Sequence, residues 1–63
     1  MSAWKTAAAI RDALRLAGHN AEVGIVVAGE YGVTVGHVRI AFVTSDRVVW
    51  NARLEGSRWQ EAA

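Results

Sequence analysis

Residues 16–27 read LAGHNAEVGIVV, and within this stretch the spacing of the apolar residues changes. Upstream of Gly18, apolar residues recur every three or four positions, which is typical of one buried face of an α-helix. Downstream of Asn20, from Val23 to Val27, apolar residues alternate along the chain, which is typical of a β-strand. The change of spacing therefore predicts a helix followed by a β-sheet.

The helix is predicted over residues 3–17. Ser2 is a suitable N-cap because its hydroxyl can accept a hydrogen bond from a free amide of the first turn. Gly18 occupies the position where a left-handed C-terminal cap is expected. Alanine is frequent and proline is absent, so intrinsic propensity also favours the helix. The apolar stripe that would face a sheet consists of Ala3, Ala7, Ile10, Leu14 and Ala17.

Three strands are predicted after the helix, over about residues 21–28, 32–43 and 47–54. The first hairpin is expected to turn at residues 29–31. In the second strand the apolar alternation slips by one residue between Val35 and Val38. A β-bulge near residues 36–37 would absorb the slip, because a bulge sets two residues of one strand against one of its neighbour.

The last hairpin has two possible loops. A three-residue loop at residues 44–46 pairs Ile40 with Trp50 and places both side chains on one face of the sheet. A two-residue loop at Ser45–Asp46 shifts the register by one residue and sends these side chains to opposite faces. We therefore expect the three-residue loop, because it gathers the apolar residues of both strands on one side.

The tail, residues 55–63, contains Ser57 and Gln60 at the spacing of a capping box. It predicts a short closing helical turn, with a frayed end as the alternative. The expected fold is α+β, with one N-terminal helix packed on a three-stranded antiparallel β-sheet in an αβββ meander. A chain of this length makes one small domain, residues 1–63.

The sequence shows no catalytic or cofactor-binding motif. The chain has no cysteine, which excludes disulfide bonds and thiolate metal sites, and His19 and His37 lack the spacing of a zinc site. Gly29, Gly32 and Gly36 do not match the glycine patterns that cradle phosphates. The serines lie in predicted caps and turns, which explains them without chemistry. We therefore expect no enzymatic activity, no metal and no cofactor.

Net charge bears on the expected partner, and hydropathy bears on the expected cellular location. Seven basic and six acidic residues give a formal net charge of +1, so the overall charge does not indicate a nucleic-acid partner. No apolar run approaches the roughly 20 residues that a membrane span needs. The N-terminus lacks the regions of a signal peptide. We expect a cytoplasmic protein with no membrane partner.

Three groups of residues are candidates for partner binding. The outer face of the sheet carries Arg39, Arg47, Asn51 and Arg53, the helix flank carries Trp4, Arg11 and Arg15, and the first hairpin carries Glu30 and Tyr31. Tryptophan, tyrosine and arginine are enriched in interface hot spots. Each group also has a structural interpretation, respectively a solvated sheet face, Trp4 covering the sheet edge, and Tyr31 lying on a neighbouring strand. The outer face is expected to carry no aromatic residue, which disfavours RNA recognition.

The sequence therefore favours a small non-enzymatic interaction protein that binds a larger protein partner, including a nucleoprotein complex, and modulates or blocks it. Short cysteine-free domains of this architecture occur among phage and mobile-element inhibitors of host defence, such as anti-CRISPR proteins. That comparison rests on size and architecture and not on a motif. One alternative is a nucleic-acid-binding module that uses the outer-face arginines. The other is a self-associating structural protein, for instance a homodimer, that uses the apolar outer face or an exposed edge strand.

Overall fold

The computed structural model describes residues 2–56 and 58–61. Within them lie α1 (Ala3–Leu16), β1 (Ala21–Val27), β2 (Glu30–Val35), β3 (Val38–Val43), β4 (Val48–Trp50), β5 (Ala52–Glu55) and β6 (Arg58–Glu61). Strands β1 to β4 form an antiparallel sheet in chain order, and β5 and β6 form a separate two-stranded sheet. The helix packs on β1, β2 and β3. The predicted α+β class, with an N-terminal helix on an antiparallel sheet, is confirmed, but the main sheet has four strands and not three.

The ends of α1 follow from local chemistry. The Ser2 hydroxyl accepts a hydrogen bond from a backbone amide of the first turn, at 3.5 Å. At the other end Gly18 adopts a φ of 93°, in the left-handed region. The His19 amide then donates to the Leu14 carbonyl at 2.9 Å, and the Gly18 amide donates to the Arg15 carbonyl at 3.0 Å. This is a Schellman cap, so both predicted caps are confirmed.

The main sheet gains a strand because the chain reverses at Gly36, within the predicted strand 32–43. Val35 pairs with Val38, so the chain reverses over Gly36 and His37 and the predicted bulge near residues 36–37 is wrong. Gly36 has a φ of 62°, a conformation that glycine adopts without the steric cost of a Cβ. A glycine in the first central position of a two-residue turn is a hairpin signal. The predicted strand 32–43 is therefore two strands, β2 and β3.

The first hairpin turns earlier than expected. Val27 pairs with Glu30 across Ala28 and Gly29, and Ile25 pairs with Tyr31. The prediction of a turn at residues 29–31 is therefore wrong. Glu30 and Tyr31 are the first residues of β2 and not the tip of a loop.

A bulge does occur, but in the interior of β3. Val33 pairs with Ala41 and Thr34 pairs with Arg39, so Ile40 is the additional residue. Ile40 and Ala41 are consecutive and both have no exposed surface. A regular strand would turn one of them away from the core, so the bulge explains why both are buried.

The turn between β3 and β4 has a loop of two residues and not the expected three. Phe42 pairs with Val49, and the Thr44 amide donates to the Arg47 carbonyl at 3.0 Å around Ser45–Asp46. This is the two-residue loop, and the predicted three-residue loop is wrong. The prediction of a three-residue loop assumed that the alternating apolar residues of the last strand all pack into the core.

That assumption fails at two large side chains. Trp50 pairs with Ala41 and not with Ile40, and its side chain is 55% exposed. Leu54 is also exposed. The helix packs on β1, β2 and β3, so β4, which carries Trp50, is left largely uncovered.

The C-terminal segment closes over β3. After Asn51, whose amide donates to the Ile40 carbonyl at 2.8 Å, β5 pairs with β6 and both contact β3. Trp59 packs against the core, and its ring centroid lies 5.7 Å from that of His19. The predicted closing helical turn is wrong where the structure describes the tail, since β6 is a strand. Ser57, its predicted cap, lies outside the described residues.

One core cluster joins the helix to both sheets. Its buried members are Ala3, Ala7, Val33, Ile40, Ala41, Val43 and Ala52. Four of these seven residues are alanines, so the backbones of helix and sheet approach closely. Ile10 and Leu14 of the predicted helical stripe pack against the cluster, whereas Ala17, which was also placed in the stripe, is exposed.

Candidate functional site

The helix flank and the start of β2 form one surface. The Trp4 and Tyr31 rings have centroids 5.7 Å apart at 60° to each other, a tilted arrangement favoured by aromatic pairs. The Arg11 guanidinium lies over the Trp4 ring, 5.8 Å from its centroid. We name Trp4, Arg11 and Tyr31 the helix-flank patch. Two of the three predicted groups of binding residues thus contribute to it.

The geometry of the patch is held from both sides. Arg11 Nε donates to Asp12 Oδ1 at 2.9 Å, which fixes the guanidinium beside the indole. Tyr31 is anchored in β2 between Ile25 of β1 and Val43 of β3. Trp4 remains 46% exposed despite its contact with Tyr31. The patch is therefore a pre-ordered aromatic surface that still faces water.

Arg15 and Glu30 are not part of the helix-flank patch. Arg15 Nε donates to the Ala21 carbonyl at 2.8 Å, so this side chain connects the end of α1 to the beginning of β1. Glu30 pairs with Val27 at the start of β2 and is half-buried.

The observed register separates the four residues predicted for the outer sheet face. Arg39 lies opposite Thr34 within the main sheet. Arg53 lies in the separate β5–β6 sheet, where its Nε is 3.6 Å from an Oε1 of Glu55. Arg47 is in the turn before β4, and Asn51 is at the junction of β4 and β5. The predicted three-residue loop would have placed Arg39 and Arg53 on adjacent strands as near neighbours, but the structure has the two-residue loop instead.

Phe42 is an outer-face residue that the sequence interpretation missed. It pairs with Gly32 on one side and Val49 on the other, and it is absent from the core cluster that includes its neighbours Ala41 and Val43. The expectation of an outer face without an aromatic residue is therefore wrong. The signal that could have revealed this is the two-residue loop at Ser45–Asp46, since that register puts Phe42 opposite Val49.

Arg39 covers the outer side of the same sheet. A Cβ added to Gly32 would lie 2.9 Å from Arg39 Nε, so the Arg39 side chain runs directly over this glycine. Gly32 is buried as a result, although it lies on the face away from the helix. The outer face thus presents Phe42 and the Arg39 side chain, which lies over the buried Gly32.

The first strand exposes apolar residues that are not among the three predicted groups of binding residues. β1 lies at one end of the sheet, and its Ile25 and Val27 side chains are 75% and 53% exposed. Both are apolar and belong to the alternating pattern that predicted the strand. The pattern identifies the strand, but only its position at the sheet edge shows that the helix leaves its end uncovered.

Residues 2–56 and 58–61 contain no helix that is long and apolar enough to cross a membrane. This part of the chain also lacks two other features of a conventional site. It encloses no cavity, and it gathers no group of three or more His, Asp or Glu side chains suited to a metal ion. No protein-family model matches the chain, and neither does any curated protein or solved structure.

Proposed function

We propose that the chain is a non-enzymatic protein-binding module and that the helix-flank patch is its contact surface. The observation that carries the proposal is the half-exposed Trp4, held between Tyr31 and Arg11. A domain of 63 residues has few large side chains with which to fill its core. A tryptophan left half in water at an ordered position is therefore better explained by a partner than by stability.

The chemistry of the patch suits a protein partner. Tryptophan, tyrosine and arginine are the side chains most enriched at energetic hot spots. Tryptophan and tyrosine offer a large contact area with little conformational entropy to lose. The Arg11–Asp12 ion pair and the aromatic contact already restrict the side chains, so binding would cost less ordering. The expected partner surface has an apolar pocket for the indole and an acceptor for the guanidinium.

The decisive experiment compares two half-exposed tryptophans. Tagged wild type, Trp4→Ala and Trp50→Ala proteins would be used to capture partners from a lysate of the source cells. The captured protein would then be purified and titrated against each variant by calorimetry. We expect Trp4→Ala to weaken binding by at least about 30-fold, as for a hot-spot residue, and Trp50→Ala to leave it unchanged.

Circular dichroism of both variants would verify that each remains folded. Equal binding by wild type and Trp4→Ala, or a loss confined to Trp50→Ala, would contradict the proposed surface. Arg11→Glu provides a further variant that leaves the aromatic pair in place and reverses the charge offered to the partner. Unchanged binding by Arg11→Glu would remove Arg11 from the site.

We propose further that the contact modulates or blocks the larger partner, and that a host-defence nucleoprotein complex is the first to test. The small size of the chain and its exposed aromatic patch support this setting. Expression in cells with active CRISPR immunity should restore plaques of a targeted phage, and Trp4→Ala should not. Unchanged plaque counts with the wild type would contradict the inhibitory role, while the capture experiment tests the surface separately.

The outer face supports a second candidate, a single-stranded nucleic acid. Phe42 and the exposed Arg39 lie on the same open sheet face, and such faces stack bases on aromatics and bind phosphates with arginine. Binding of a labelled oligonucleotide should fall steeply between about 50 and 200 mM salt. Arg39→Ala should weaken it more than Arg53→Ala does. No binding at the lower salt concentration would eliminate this candidate.

A further inference from the structure

Strand β1 has an open outer edge. It is the end strand of the four-stranded sheet, so the backbone groups on its outer side have no strand partner among the described residues. The strand is seven residues long, and Glu22 is its only charged residue. Ile25 and Val27 are exposed beside it. Proteins usually protect such an edge with charges, proline or a covering segment.

Arg15 shows which part of the edge is open. The Ala21 carbonyl accepts from Arg15 Nε at 2.8 Å, and the Ala21 amide donates to the His19 carbonyl at 3.1 Å, so this residue directs its backbone groups away from β2. Backbone groups alternate in direction along an antiparallel strand, so those of Val23 and Ile25 also face outward. Beyond Ile25 the β1–β2 register becomes irregular. The open segment is therefore bounded by Arg15 at one end and by this irregularity at the other.

We propose that β1 pairs antiparallel with β1 of a second copy about a twofold axis at Gly24, which joins two sheets into one of eight strands. In this register Val23 of each copy lies opposite Ile25 of the other and exchanges backbone hydrogen bonds with it. Residues that lie opposite each other project to the same face. The exposed Ile25 side chain would therefore pack against Val23 of the second copy.

The shape of the open segment favours this register over its neighbours. A twofold axis at Val23 would set Ala21 opposite Ile25, but the outward carbonyl of Ala21 is already bound by Arg15. An axis at Ile25 would require regular pairing as far as Val27, across the irregularity. The axis at Gly24 uses only the segment between these two limits.

Charge also permits a second copy as the occupant. The formal net charge is +1, so two copies repel each other weakly. In the proposed register Glu22 lies opposite Val26 and not opposite Glu22 of the second copy. Like charges therefore do not face each other across the β1–β1 interface. The β1–β1 interface involves neither Trp4 nor Arg11. A test of dimer formation is therefore independent of the proposed function.

Disulfide trapping tests the register directly. The chain has no cysteine, so a single introduced cysteine can cross-link only between copies. A side chain at Gly24 meets no atom within 4 Å, and its φ lies outside the left-handed region, so Gly24→Cys should fold. Gly24 would face its mate as a non-hydrogen-bonded pair with Cα atoms about 4.5 Å apart, within the range of a disulfide.

Glu22→Cys is the matched control, because Glu22 is exposed on the same face of the same strand. In the proposed dimer its symmetry mate would be about 13 Å away along the strand. Under mild oxidation we expect Gly24→Cys to form a covalent dimer at least ten times faster than Glu22→Cys. Equal rates, or a faster reaction of Glu22→Cys, would overturn the proposed register.

Sedimentation of the unmodified chain provides the second measurement. An interface formed by one short strand from each copy buries little area. We therefore expect reversible dimers at concentrations on the order of 100 μM. Ile25→Lys should weaken association at least tenfold, whereas Val49→Lys, at an exposed site on β4, should leave it unchanged. A wild type that remains monomeric up to about 1 mM, or equal effects of the two lysines, would overturn the proposal.

Discussion

At the scale of single residues, a glycine can be required by limited space or by backbone conformation, and Gly24 and Gly36 can be compared on both grounds. Neither position has an atom within 4 Å of an added Cβ, so a side chain would meet no steric obstacle at either. Only Gly36 has a positive φ, 62°, because it forms the turn between β2 and β3. Backbone conformation, and not space, therefore distinguishes the two.

Alanine substitutions should divide accordingly. Gly36→Ala is expected to lower the free energy of unfolding by about 1–2 kcal/mol, because an L-residue is strained in the left-handed region. Gly24→Ala should raise it by up to about 0.5–1 kcal/mol, because alanine restricts the unfolded chain more than glycine does. Urea denaturation at low protein concentration would measure both. A loss at Gly24 equal to that at Gly36 would contradict the assigned turn.

At the scale of elements, the bulge in β3 decides what the core contains. It buries Ile40 and Ala41 side by side, whereas a regular strand would bury only one of them. Ile25 in β1 shares the apolar alternation of the sequence but lies at an uncovered sheet edge. Two isoleucines with similar sequence patterns therefore have opposite environments.

Truncating these isoleucines should show that difference. Ile40→Ala is expected to cost about 2–5 kcal/mol in unfolding free energy, as for a fully buried side chain that leaves a cavity. Ile25→Ala should cost less than about 0.5 kcal/mol, because its side chain is mostly in water. Thermal and urea unfolding of the two variants provide the comparison. Similar losses would mean that β1 is covered or that the bulge is absent.

Trp59 is the residue of the C-terminal strand β6 that packs against the core. Its indole packs against the core beside His19, but its Nε1 is buried and has no hydrogen-bond partner among the described residues. Trp59→Phe should therefore change the unfolding free energy by less than about 1 kcal/mol, because it removes a polar group that gains nothing. Trp59→Ala should cost about 1–3 kcal/mol, since the packing is lost. Equal effects of the two substitutions would contradict this placement of the hairpin.

The sequence predicted those elements whose signals are local. The caps at Ser2 and Gly18 and the helical stripe are specified within a few residues, so the helix was predictable. The turn at Gly36 was not, because a slip in alternation is compatible with either a bulge or a reversal of the chain. That ambiguity concealed one strand. The predicted three-residue loop, in turn, would have paired Phe42 with Val48 on the core face of the sheet.

The candidate site was predictable as residue types and not as an arrangement. Trp4, Arg11 and Tyr31 were chosen for their interface chemistry, although Tyr31 was placed in a loop. Their contact depends on the register of the first hairpin, which pairs Ile25 with Tyr31. A turn at residues 29–31 would have paired Ile25 with Val35, four residues further along the chain. The exposed edge of β1 likewise follows from strand order, which is a property of the assembled sheet.

At the scale of the whole molecule, incomplete coverage of the sheet determines what is available for binding. One helix packs over β1 to β3, and the β5–β6 hairpin packs against β3. The outer face, the free edge of β1 and the exposed Trp50 remain uncovered. The proposed binding surfaces thus lie where the single helix of the described residues leaves the four-stranded sheet uncovered.

The most direct test of the proposed contact surface is a nuclear Overhauser experiment on the ring protons of Trp4 and Tyr31. Centroids 5.7 Å apart predict strong cross-peaks between the two rings, together with cross-strand peaks between Ile25 and Tyr31. A spectrum that instead pairs Val27 with Val33 and shows no contact between the rings would place Tyr31 in a loop. The helix-flank patch would then not exist.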